Sequence, residues 1–377
     1  MTDERAPSVP VAAFGALALW YGVVGFGGGF AVAQRIRRAV VDKKAWISES
    51  SFLEHFAVAG ALPGTTATNL LTMLGLRLAG WRGAVVGAAG FLLPSVLLMI
   101  AFGAAYDRVR GIRSLASFLD GMGYATVGVV AAVAVDMRRV AVKSGAEALI
   151  GSLAALALVF RVLNLLEVVA IAGLVGVLAF RPPGPDPMPP VSSRLSSWMV
   201  GSVAASGSAA LVVVFARIGV ATFGGGFAMI PPIEHEVVAV RGWLSEAAFR
   251  DAMVLGQVTP GPVAIAATFI GYRVGGLLGS LSATLGMFGP PFVLSLLAAR
   301  SLAAFRSSRQ VQGFLRGVSP AVVGVIAAAA VALARTSLHS VFAAGVAAVT
   351  LTVLARVPSL SPLILLALGG ALNLIAH

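Results

Sequence analysis

The sequence predicts an all-α, polytopic membrane protein of two homologous repeats, with Pro-Gly-broken transmembrane helices and about 10–12 spans. Composition is the first reason. Of 377 residues, 58% are hydrophobic and 11% charged, whereas a soluble domain is about 45–50% apolar and about 25% charged. So few charges could not cover the chain's surface in water. The second reason is an internal repeat. Phe26, Trp46, Phe52 and Pro63 recur as Phe223, Trp243, Phe249 and Pro260, all at an offset of 197. From Gly75 and Gly271 onward the offset is 196, through Arg77/Arg273, Gly80/Gly276, Pro94/Pro290 and Gly121/Gly317. Chance does not hold such a register, and duplicated units are characteristic of transporter folds. The third reason concerns two equivalent connectors. Residues 34–50 carry Arg35, Arg37, Arg38, Lys43 and Lys44, whereas 231–248 carry Glu234, Glu236 and Glu246 against Arg241. Positive charge marks the cytoplasmic side, so the repeats are expected to be inverted.

The elements follow in order. Val11 to Ala33 is apolar and ends in the triplet Gly27, Gly28 and Gly29. Ser48 and Ser245 are placed to cap the helices that follow, with Glu49 and Glu246 favouring the positive dipole end. Trp46 and Trp243 read as interfacial anchors just outside them. Phe52 to Leu78 is long enough to span but is interrupted at Pro63-Gly64, because proline removes a backbone donor and clashes with the preceding turn. Apolar spans follow at 83–105, 114–135, 145–160 and 163–180. Residues 181–196 form a Pro-rich linker that cannot be helical; it separates a first repeat over 1–180 from a second over 197–377. The second repeat offers spans at 198–222, 249–272, 276–299, 313–334, 337–356 and 360–376.

Several functions are excluded. The formal net charge is +12, but the basic residues sit between apolar runs. They read as topogenic charge beside a lipid bilayer, not as a nucleic-acid surface. Cysteine is absent, which removes disulfides and thiolate chemistry. His55 and His235 have no His/Asp/Glu cluster at metal spacing. No Ser/His/Asp set can be assigned, so neither catalytic residues nor a cofactor are expected.

Binding residues are expected at the breaks. Gly27, Gly28 and Gly29, with Gly224, Gly225 and Gly226, could simply allow close helix packing. Their symmetric placement beside polar segments favours irregular backbone lining a cavity, where such chain is tolerated in a membrane. The half-helix after each Pro-Gly break begins with free N–H groups at the positive dipole end, a ready anion site. Gly64, Thr65, Thr66 and Asn69 cluster at the first break; Thr259 and Gly261 mark the second. The plainer reading of the threonines is back-bonding to their own helices. Arg77 and Arg273 either snorkel to headgroups or screen an anion. Glu54 and Asp251, each nine residues before the break proline, are solvated helix-start residues or a pair that titrates in proton coupling.

These motifs together resemble the chromate ion transporter family. The second copy carries the pattern most fully: Phe223-Gly224-Gly225-Gly226, Trp243-Leu244-Ser245, Gln257-Val258-Thr259-Pro260-Gly261-Pro262, Gly271-Tyr272-Arg273 and Gly289-Pro290. The resemblance covers nearly the whole chain. It implies two fused halves of opposite topology, a multi-pass place in the plasma (inner) membrane, and export of chromate coupled to the proton motive force. Sulfate or another oxyanion is the alternative cargo, and a channel the alternative mode; a membrane enzyme acting on lipid phosphate lacks a visible base. A homodimer is compatible with the resemblance. The first copy departs from the family pattern, with Pro63-Gly64-Thr65-Thr66 in place of Pro-Gly-Pro-Glu and Gly29 where proline is frequent.

Overall fold

The computed structural model describes residues 9–26, 28–180, 207–223, 226–302, 307–357 and 360–376. Among these residues there are helices and no strand. The Pro-rich linker lies outside the described residues, as do Gly27, Gly224 and Gly225.

The first half contains α1 (Val11–Val24), α2 (Gly28–Arg37, continued by a π turn Arg38–Lys43), α3 (Glu49–Ala61), α4 (Thr66–Gly111), α5 (Arg113–Ala141), α6 (Gly145–Val159) and α7 (Leu165–Phe180). The second half repeats this series. It has α8 (Gly207–Ala221), a 3₁₀ turn Gly226–Met229 leading into α9 (Ile230–Glu234) and a π turn His235–Val240, then α10 (Glu246–Val258). A 3₁₀ turn Val263–Ile265 leads into α11 (Ala266–Arg300), followed by α12 (Arg309–Ser337), α13 (Val341–Arg356) and α14 (Pro362–Ala376). Ser48 and Ser245 are N-caps, accepting from the N–H groups of Ser51 and Ala248. Lys44 lies over the Trp46 ring and Arg241 over Trp243, each 4.9 Å from the centroid.

α4 is not one rod. Ala79 and Gly80 leave the helical region. Gly75 then lies against the Gly83 carbonyl, and Gly87 against that of Leu71. Arms 66–78 and 81–111 are therefore antiparallel. α11 turns in the same way at Gly275 and Gly276, which brings Gly271 against Gly279.

The interruption at Pro63-Gly64 is where the sequence puts it, but the chain reverses there instead of continuing across. Asn69 Nδ2 donates to the Ala59 carbonyl at 3.2 Å and to the Pro63 carbonyl at 2.9 Å, so α3 and arm 66–78 lie side by side. The span expected over Val11–Ala33 also turns back after Val24. Tyr21 Oη donates to the Arg35 carbonyl at 2.9 Å and Arg35 Nη1 to that of Val24 at 2.8 Å. Trp46 ends 6.5 Å from the Phe14 ring. The hairpin tip at Pro63-Gly64 meets the chain of the other half at Thr222.

The hairpins of the two halves come from opposite faces. Along arm 81–111, Ser95 meets Gly261, Gly103 meets Tyr272 and Asp107 meets Arg273. The chain from 261 to 273 therefore runs parallel to arm 81–111. That arm leads away from the first face, where α1 and α3 begin; α8 and α10 begin on the second. The halves are inverted, as the charge of their connectors predicts.

They also interlock. α5 packs on α13 and α14 of the other half, α12 packs on α6 and α7, and α4 lies on α11. Phe118 seats against Gly370 and Phe314 against Gly173. Close backbone approach at small residues is the main attraction available between helices in lipid. Arm 81–111 extends about 46 Å, more than the roughly 30 Å hydrocarbon core; the four 15–16-residue helices α6, α7, α13 and α14 reach only about 22–24 Å.

Candidate functional site

The hairpin tips cross at the centre through a reciprocal pair of backbone bonds. Gly64 N–H donates to the Thr222 carbonyl at 2.6 Å, and Gly261 N–H to the Gly25 carbonyl at 3.0 Å. Both glycines have left-handed backbone, with φ of 95° and 102°. A Cβ on Gly64 would lie 2.6 Å from Pro291 Cβ. Beside the crossing, Gly29 packs on Thr66 and Gly226 on Val263.

The starts of four helical segments, at Gly28, Thr66, Gly226 and Val263, consequently gather in one place. The stretches 25–29, 62–69, 222–229 and 259–266 contain no charged residue. Each helix start carries about half a positive charge on its free N–H groups.

The side chains at the tips divide by role. Thr65, Thr66, Thr68, Asn69 and Thr259 are all buried. Thr65 and Thr68 share a hydroxyl bond of 2.8 Å, and Asn69 holds the first tip together as described. Thr259 Oγ1 donates to the Leu255 carbonyl at 2.7 Å, the back-bonded arrangement. Thr66 faces Gly29.

The structure does not bring the two arginines to the tips. Arg77 is exposed near the end of its arm, about 16 Å from Thr66 at 1.5 Å per residue. Arg273 occupies the equivalent place on the opposite face. It makes a two-pronged ion pair with the exposed Asp107, both bonds 2.9 Å, and lies over the Tyr106 ring. Glu54 and Asp251 are also far apart, since each begins a hairpin on its own face.

Asp251 sits in a cluster that sequence reasoning missed. It is fully buried. It accepts from Tyr106 Oη at 2.6 Å, Arg110 Nε at 2.6 Å and Arg110 Nη2 at 2.7 Å. Asp120 accepts from both Arg110 and Arg250, and Arg250 Nη1 also donates to the Thr336 carbonyl. Two carboxylates and two guanidinium groups compensate one another. The available signal was the occurrence of Arg110, Asp120 and Arg250 at the ends of apolar runs, but nothing in the sequence pairs residues more than 100 positions apart.

A cavity of about 570 Å³ opens near the second face, between the α6–α7 turn, α8, α9 and α12. Its lining includes Ile218 and Ala221 on α8, Pro231 and Pro232 on α9, and His235. Ala221 directly precedes Thr222, which accepts the Gly64 N–H.

Comparison with known proteins fits this arrangement. The family model described as chromate transporter matches residues 13–177 and again 209–374. The chain belongs to the chromate transporter family. This family consists of transporters, not enzymes. A chromate transport protein of Cupriavidus metallidurans is 30% identical over 372 residues, covering 94% of this chain and 90% of the relative. One from Pseudomonas aeruginosa is 31% identical, covering 87% and 84%. A probable chromate transport protein of Synechococcus elongatus is 30% identical, covering 84% and 83%. No solved structure matches the chain. The two family matches fall on the two series of seven helices, and membership supports transport of chromate by a multi-pass membrane protein.

Proposed function

We propose that the chain exports chromate across the plasma membrane, binding it where the four helix starts meet. The observation that carries this reading is the gathering of four helix starts on uncharged stretches of chain, with the Arg35 guanidinium group beside them at the Val24 carbonyl. Fixed N–H groups there replace part of the anion's hydration. A dianion moved from water into a membrane needs such compensation. The binding residues are then Gly28, Gly29, Thr66 and Gly226, with Gly64 and Gly261, whose N–H groups fasten the crossing, and Thr65 and Asn69 shaping the tips.

Charge sorting supports the direction. The first face holds the basic connector 34–50 and, beyond it, Arg77, Arg82, Arg138, Arg139, Lys143, Arg300 and Arg309. On the second face, Arg110 and Arg273 are tied to Asp251, Asp120 and Asp107. Positive charge retained inside makes the first face cytoplasmic. Its potential also gathers dianions at the cytoplasmic mouth. Rocking of one inverted unit against the other is the expected mode of alternating access, coupled to the proton motive force.

The test is uptake of chromate by inverted membrane vesicles, with sulfate and phosphate in competition, with and without a proton gradient. Gradient-dependent uptake above vesicles lacking the protein supports the reading. Electrical current without coupling would make the protein a channel, and preferential displacement by sulfate would change the cargo.

A further inference from the structure

We infer that His235 is a proton-binding residue whose charge state controls the hold of the second-face cavity on the anion; this rests on the oxyanion reading above. Three observations on geometry converge on it. His235 lines the cavity of about 570 Å³. Its Nδ1 is buried without a hydrogen-bond partner. It also opens a π turn, an irregularity frequent at functional sites, on the helical run that starts at Gly226 in the central site.

The surrounding charges give that proton its effect. From the α6–α7 turn and α7 come Arg161 and Glu167, from α8 Arg217, and from α12 Arg335. The histidine's own run adds Glu234 and Glu236, and α10 adds Glu246. Arg161 pairs with Glu234 at 3.2 Å, and Arg241, just outside, pairs with Glu236 at 3.2 Å. Within the lining, three arginines face four carboxylates. With the imidazole neutral, the cavity carries a net negative charge that opposes a dianion leaving the tips. Protonated, the imidazole cancels that charge on the path from Ala221 to the second face. Proton and anion then bind with positive linkage, and each raises the affinity of the other by the same factor. The equivalent position in the first repeat is Arg38, a permanent charge, so the device belongs to one face.

Imidazole is the side chain whose charge changes between about pH 5 and 8, and the chain has four histidines. The experiment labels them with ¹³C in the full chain in lipid nanodiscs and follows their titration with and without chromate. His235→Gln, which keeps hydrogen bonding and cannot titrate, identifies the resonance. Chromate affinity is measured on the same samples by tryptophan fluorescence. The expected result is that chromate raises the His235 midpoint. Expressed per chromate dianion, after allowing for chromate's own protonation in this range, wild-type affinity should fall about tenfold from pH 5.5 to pH 8, a typical size for coupling between sites, while that of His235→Gln stays flat. An unmoved His235 midpoint with chromate bound overturns the linkage alone. No chromate binding at any pH overturns the oxyanion reading and the linkage with it. A wild-type pH dependence retained in His235→Gln assigns the proton to another group and overturns the proposal.

Discussion

Gly64 N–H donates to the carbonyl of Thr222, and the equivalent Gly261 N–H donates to that of Gly25. The tip of each half is thus fastened to the glycine-rich turn of the other. A change at either tip therefore acts on both halves at once.

Replacement of these glycines tests the crossing. Left-handed backbone costs a residue with a Cβ about 1–2 kcal/mol, and overpacking adds about 1–3 kcal/mol. Gly64→Ala meets Pro291 Cβ at 2.6 Å, whereas Gly261→Ala meets the smaller Ser95 hydroxyl at 3.0 Å. Gly64→Ala should therefore lower the melting temperature and chromate uptake more than Gly261→Ala does. Equal, near-wild-type behaviour of both would show that the tips are not tightly crossed.

Topology is open to direct labelling, because the chain lacks cysteine. Single cysteines at Lys44 and Lys143 should be shielded from an impermeant thiol reagent applied to intact cells. Cysteines at Asn164 and Arg241 should react. Accessibility of Lys44 and Arg241 from the same side would contradict the inverted arrangement.

The threonines at the first tip should separate. Thr65 already shares its hydroxyl with Thr68, so Thr65→Val should act mainly on stability. Thr66→Val should weaken chromate binding about two- to hundredfold, the loss of a hydrogen bond worth about 0.5–1.5 kcal/mol, or about 1.5–3 kcal/mol to a charged partner. Equal affinity in Thr66→Val and wild type would leave backbone N–H groups as the whole site.

The arginines provide a sharper test of where compensating charge comes from. If four helix starts supply it, Arg77→Gln and Arg273→Gln should change chromate affinity in equilibrium binding by less than about threefold. Arg273→Gln should instead release Asp107, an exposed pair worth about 0–1 kcal/mol. A loss above tenfold in both variants would restore the arginines to the site.

The sequence made the repeats, the breaks and the caps legible because each is written locally: a register, a Pro-Gly, a Ser before an acidic first turn. It did not show that Pro63-Gly64 reverses the chain. Period and hydropathy are the same whether a half-helix continues or folds back, and the deciding contact is Asn69 reaching Ala59 and Pro63. The turns at Ala79-Gly80 and Gly275-Gly276, by contrast, fall in the gaps left between the expected spans, after Leu78 and just before 276. The resulting gathering of four helix starts, where two were expected, was not legible either. The exchange of α5 and α12 between halves was also illegible, since it depends on packing at glycines far apart in the chain.

Asp251 and Glu54 occupy equivalent positions but should respond differently to loss of charge. Asp251 is fully buried between Tyr106 and Arg110, with Arg250 beside it. Removing one partner of a buried pair leaves an uncompensated charge and typically costs about 3–5 kcal/mol. Asp251→Asn should therefore reduce the melting temperature and the amount of folded protein, through the two arginines it leaves against Asp120 alone. Arg110→Gln added to Asp251→Asn returns the cluster to one arginine and one carboxylate, so the double variant should recover part of the loss. Glu54 is only partly buried, and Glu54→Gln should stay within about 1 kcal/mol, the range of partly exposed charges. Thermal unfolding of the three variants in detergent, with the pH dependence of uptake measured on those that fold, separates a structural clamp from a titrating pair. Recovery of stability in the double variant with unchanged pH dependence makes Asp251 a clamp. A stable Asp251→Asn whose uptake no longer responds to pH would return it to proton coupling.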